Sequence, residues 1–138
     1  MATVSPRARY HSHVAEGESL SRAQSPQGMP AIAAFYRKLV ETGCYLLEHD
    51  VERMAIGQDV LTTEGELSKA YPAQILGAMG IAVPSPDGLY LYRQRLLIVW
   101  GFDEQGLVLG ENRYGGGGPG FEAIGERPIR PEEIYRMA

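Results

Sequence analysis

The stretch Arg95-Leu96-Leu97-Ile98-Val99-Trp100-Gly101-Phe102-Asp103-Glu104-Gln105-Gly106-Leu107-Val108-Leu109 decides the fold class. Leu96 to Trp100 is apolar at every position, which suits a strand covered on both faces rather than one with a wet side. The Phe102–Leu107 segment then fits a hairpin with a type I turn and Gly106 in the left-handed conformation. Leu107 to Leu109 forms the return strand. Upstream, Pro84-Ser85-Pro86-Asp87-Gly88 is a turn cluster and Leu89 to Tyr92 a further strand, parted from the apolar run by Arg93-Gln94-Arg95. Downstream, Tyr114-Gly115-Gly116-Gly117-Gly118-Pro119-Gly120 reads as a flexible loop and Phe121 to Ile124 as a short last strand. Pro131-Glu132-Glu133 opens a C-terminal helix, with its acids where the helix dipole favours them.

Toward the N-terminus the period changes. Ile32, Phe35, Tyr36, Leu39, Val40, Leu46 and Leu47 recur at three- and four-residue spacing. That spacing predicts one long helix from Pro30 to about Met54, stopped at Gly57, with Gly43 as a weak point inside it. Thr63-Glu64-Gly65-Glu66 fits a capping box and predicts a short helix to Tyr71. After Pro72 a second short helix runs from Ala73 to Met79, with Gly80 as its cap. The expected fold class is therefore α+β: a long N-terminal helix and short helices packed on a small antiparallel β-sheet, preceded by an extended N-terminal arm.

The arm is residues 1–28, and residues 29–138 form a single α+β domain with enough chain for one core. The arm is rich in Ser, with Pro6, Pro26, Gly17 and Gly28, and its apolar residues are isolated. It buries too little to offset its ordering entropy alone. It carries three arginines against Glu16 and Glu18, whereas the rest of the chain has ten basic and fifteen acidic residues. Anchored on a protein partner, Tyr10, Val14 and Leu20 would fill pockets, and Arg7, Arg9 and Arg22 would bond acidic groups. These six are the candidate partner-binding residues.

The net charge of −4 argues against sequence-independent nucleic-acid binding, which needs excess Lys and Arg. No apolar run approaches the roughly 18 residues of a membrane span, and no signal-peptide pattern opens the chain, so a cytoplasmic location is expected. The single cysteine, Cys44, lacks surrounding ligands and predicts neither disulfide nor metal site. His11-x-His13 places two rings on one side of an extended segment without further ligands. The glycine run lacks the Lys and Ser/Thr of a phosphate-binding loop, so no cofactor is expected. A winged-helix reading fails because Pro72–Met79 has no base-reading Arg, Lys or Asn.

The Arg95–Leu109 stretch resembles the β-hairpin of papain-like peptidases of the bacteriocin-processing type. The resemblance implies a catalytic histidine at the start of the first strand and an Asp or Asn after the second. Arg95 occupies the histidine position and Asn112 matches the acid or amide, so this member would lack its general base. Three functions follow. The first is a non-catalytic accessory or interaction subunit docking through the arm. The second is a degenerate papain-like fold or a small Cys-dependent enzyme using Cys44 and His49. The third is a small-molecule binding module lined by Tyr90, Tyr92 and Tyr114.

Overall fold

The computed structural model describes residues 3–14 and 24–136. One curled, mixed sheet dominates it. Its strands are β1 (Val4–Val14), β2 (Leu47–Ile56), β3 (Val60–Pro72), β4 (Leu89–Phe102), β5 (Val108–Gly116) and the two-residue β6 (Pro128–Ile129). Their order is β1-β5-β4-β3-β2, with β6 on the start of β4. β1 runs parallel to β5, and the other pairs are antiparallel. Two α-helices, α1 (Met29–Glu41) and α2 (Ala73–Ala78), complete it together with two 3-10 turns.

This corrects the expected fold class. The long helix does not reach Met54: α1 ends at Glu41, and the chain returns as β2. The stop is local. Thr42 Oγ1 donates to the Lys38 carbonyl at 2.7 Å, and Gly43 takes φ +74°, a conformation that favours glycine. Beyond it, Leu47, His49 and Val51 alternate inward, a period of two that a short helical count does not distinguish. The Thr63–Glu66 capping box is likewise no helix start but mid-β3. Glu64 and Glu66 face outward there and bond arginines rather than backbone amides. The sheet is large rather than small, and Val4–Val14 of the expected arm is one of its edge strands, paired with β5 from Val4 to Val14.

Other elements lie where the sequence puts them. α2 follows Pro72, and Gly80 has φ +82° after it. The turn between β4 and β5 has Gly106 at φ +74°, and Asp103 Oδ1 accepts the amides of Gln105 and Leu107 at 3.0 Å each. Arg93-Gln94-Arg95 does not interrupt β4, because its outward arginines pair with acids on β2 and β3. Phe121–Ile124 is turn and 3-10 structure rather than a strand.

α1 lies over the inner face of the sheet. Its Ile32 is fully buried against Ala8 and Tyr10 of β1, while Leu39 packs on the cluster around Tyr71. α2 closes one end, with Ala73 and Leu76 buried among Tyr71, Tyr90, Tyr92 and Ile124. On the outer face the final 3-10 turn (Pro131–Arg136) seats Ile134 on Ala70 and Leu91.

Candidate functional site

The register stacks the inward side chains into rows across the sheet. Tyr10, Glu111, Trp100 and Leu61 form one row, and Ser12, Arg113, Ile98 and Thr63 the next. Gly115, Leu96, Gly65 and Val51 form a third. Gln94, Leu67 and His49 follow, then Tyr92, Lys69 and Leu47. The third row holds two glycines, and β2 carries a bulge beside Gly65, between Val51 and Arg53. A bulge bends its strand and strengthens the twist. Rows on both sides of this bend line one cavity, so the sheet curls around it there.

The cavity holds about 290 Å³ and lies between the sheet and Phe35, Tyr36 and Leu39 of α1. Its walls are mainly aromatic and aliphatic: Leu47, Leu67, Leu96, Ile98, Tyr71, Tyr92 and Trp100. Trp100 is half-buried, and its indole Nε1 donates to Thr63 Oγ1 at 3.2 Å. A few polar groups interrupt these walls, among them the strand residues His49, Lys69, Glu111 and Arg113.

His49 Nε2 sits 3.3 Å from the Leu96 carbonyl. A carbonyl only accepts, so Nε2 carries the proton and the neutral ring keeps Nδ1 as a free base. Burial holds the imidazole below its ordinary value; the Leu96 bond opposes this, and Arg113 and Arg95 add to it. Glu111 is buried, and that burial raises its carboxyl, with Arg113 pulling the other way. Lys69 is lowered by burial and by Arg113, while Cys44 opposes the shift. Its ammonium lies 4.7 Å from the centroid of the Tyr71 ring. Arg113 Nε is buried without a hydrogen-bond partner. At the far edge Tyr10 and Tyr36 share a hydrogen bond, and burial first, then that bond, raises the Tyr10 phenol.

The residues singled out in the sequence are scattered. Of the candidate partner-binding set, Tyr10 packs into the cavity wall, whereas Arg7 and Arg9 are exposed on β1. Val14 ends that strand, and Leu20 and Arg22 lie outside the described residues. Cys44 is buried in the core beside Leu76 and does not line the cavity that His49 lines. Arg95 and Asn112, the papain-like pair, face away from the cavity. Arg95 is tied to Glu52 and Glu64, and Asn112 stands opposite Val99. Of the three tyrosines, Tyr92 lines the cavity and Tyr90 is core with its hydroxyl on Ser85, while Tyr114 stacks on His13 at 4.8 Å. Among the described residues no three His, Cys, Asp or Glu gather as a metal site.

Lys69, Glu111 and Arg113 were missed. For Lys69 the signal was the period of two in Leu61-x-Thr63-x-Gly65-x-Leu67-x-Lys69-x-Tyr71, which places a lone lysine among uncharged residues on one face.

No family model matches the chain, and no curated protein matches it in sequence. Solved structures do match it in fold. A SnoaL-like protein of Shewanella denitrificans, assigned as a polyketide cyclase, has a TM-score of 0.62 at 12% identity over 82% of this chain and 73% of its own. A Catenulispora acidiphila protein with a ketosteroid isomerase-like fold, in complex with trimethylamine, scores 0.61 at 10% identity over 92% of this chain and 79% of its own. An NTF2-like protein of Burkholderia thailandensis scores 0.57 at 15% identity over 83% and 74%. The fold is thus NTF2-like, of the SnoaL type. It replaces both the helix-on-sheet expectation and the accessory-subunit reading built on a free arm. No helix among the described residues is long and apolar enough to cross a membrane.

Proposed function

We propose that the protein binds a small, largely apolar molecule in the cavity between α1 and the curled sheet. One observation carries this: a space of about 290 Å³ is walled by aromatic and aliphatic side chains yet also lined by His49, Lys69, Glu111 and Arg113. Its size sits near the lower end of the roughly 300–1,000 Å³ typical of small-molecule sites, which suits a ligand of one or two rings. Interiors without such a role are packed to near crystal density. The likeness to a SnoaL-like polyketide cyclase and to a trimethylamine complex supports a ligand pocket in this fold.

A second reading, proton-transfer catalysis on the bound molecule, is favoured by His49. It is a neutral base with Nδ1 unengaged, and it shares the cavity with the raised carboxyl of Glu111. Binding is the first test. Isothermal titration calorimetry with 2-naphthylmethanol, a neutral two-ring probe, should show one saturable site. Leu67→Phe, which fills the cavity from the middle of β3, should weaken it at least about tenfold, the effect of losing roughly 1.4 kcal/mol. Undiminished binding by a folded Leu67→Phe variant would place the ligand elsewhere and refute the proposal.

A further inference from the structure

We infer that the ligand of this cavity is an anion, an aromatic carboxylate or the equivalent enolate, held between Lys69 and Arg113. The inference rests on the cavity being a binding site and adds the charge of what fills it.

The first observation is an imbalance of partners. On β2 and β4 the outward arginines are paired: Arg53 with Glu64, Arg93 with Glu66, Arg95 with Glu52 and Glu64. Acids are in surplus in this chain, seventeen against thirteen Lys and Arg. Yet the two cations turned into the cavity have no ion pair among the described residues. Lys69 has the Tyr71 ring under its ammonium, 4.7 Å from the ring centroid. Arg113 has a buried Nε without an acceptor. A buried donor left unpaired is costly, so the arrangement is completed by something that accepts.

The second observation is that both cations act on one space. Lys69 and Arg113 come from different strands, β3 and β5, and both line the cavity. Their charges oppose one another, since Arg113 helps lower the Lys69 ammonium. A neutral ligand leaves that repulsion intact. A single anion between them converts it into two attractions and supplies acceptors to both. Glu111 does not remove the need. It is one carboxyl against two cations, and burial raises it while Arg113 pulls the other way. His49 adds no charge, because burial keeps it neutral.

The third observation sets the shape. Around the cations the walls are rings and branched aliphatics, Tyr71, Tyr92, Trp100, Leu67 and Ile98. Such walls take a flat apolar body, and the cations fix its acidic end. An inorganic anion would leave them uncovered.

The test uses three probes on one scaffold: 2-naphthoate, 2-naphthylmethanol and 2-naphthylmethylammonium, titrated calorimetrically into the full chain at pH 7. The naphthoate is expected to bind at least about tenfold more tightly than the alcohol, the gain of a charge-assisted bond, and the ammonium least tightly. Lys69→Met should remove most of that preference, read as the ratio of acid to alcohol affinity within the variant. Lys69→Arg should retain it, and Arg113→Met gives the same reading from the other strand if Lys69→Met fails to fold. Equal binding of acid and alcohol by the wild-type protein would overturn the anion assignment and leave the cavity reading standing. Binding of none of the three would overturn both.

Discussion

Gly65 is the residue on which the curl of the sheet depends, and replacing it with alanine tests that directly. A Cβ built at Gly65 would lie 1.7 Å from the Asp50 carbonyl oxygen and 3.0 Å from the Val51 Cα. Both belong to the backbone of β2 at its bulge, so no side chain can swing aside. Reaching even a 3.0 Å contact requires β2 to retreat by about 1.3 Å. That displacement strains or breaks about two ladder hydrogen bonds, each worth roughly 1 kcal/mol net. Disturbed packing of the inner face adds ~1–2 kcal/mol. The expected loss is therefore about 3–4 kcal/mol, on the order of 10 °C in the melting midpoint for a chain of this size.

The paired control is Gly77→Ala in α2, where the added Cβ meets nothing within 4 Å. Helix propensity predicts a gain there of roughly 0.5–1 kcal/mol. Thermal unfolding followed by circular dichroism, with urea titration for the free energies, reads both variants. A Gly65→Ala midpoint within a degree or two of wild type would refute the argument that the β2 bulge is locked against this glycine. A loss in Gly77→Ala as large as that in Gly65→Ala would show the protein to be merely intolerant of substitution.

Two other outcomes are expected. His49 has its folded pKa below the ordinary value, so the unfolded chain binds more protons as pH falls; the stability this contributes is present above about pH 6.5 and is lost as pH drops through the lowered value. Urea denaturation between pH 7.5 and 5 should show a steeper acid loss for wild type than for His49→Gln, and parallel curves would contradict it. Cys44, 4% exposed and packed beside Leu76 and Tyr90, should react slowly with a thiol reagent in the native protein and fast after denaturation, whereas rapid native labelling would return weight to a cysteine-based chemistry.

The sequence was most legible where chemistry is local. The Asp103–Gly106 turn, the helix after Pro72 and the strand through Trp100 each announce themselves within a few residues. What was misread depends on contacts distant in sequence. Leu46 and Leu47 continue a helical spacing from Leu39 by coincidence, and only the partner β3 decides that Leu47 opens a strand. Thr63-x-x-Glu66 matches a helix start because its side chains suit one; in β3 the carboxylates meet Arg53, Arg93 and Arg95 instead. Val4–Val14 carries few apolar side chains because an edge strand needs them on one face alone: Ala8 and Tyr10 are buried while Arg7 and Arg9 face water.

The site was illegible for a related reason. Each of its polar groups looks ordinary in the sequence, a lysine among surface-type residues, a glutamate and an arginine two apart on a glycine-rich strand. What makes them unusual is that the strand pleat turns them inward. The third row carries Gly65 and Gly115, and α1 ends at Glu41. Glu111 shares the cavity with the two cations but forms no ion pair with either among the described residues, whereas Arg93 and Arg95 are paired on the opposite face. The same strands thus satisfy their charges on one side and leave them open on the other. Sheet stability alone explains the outer face but gives no reason for the inner one. The proposed binding gives one, because a preorganised charge in a walled space discriminates between ligands far better than one already paired.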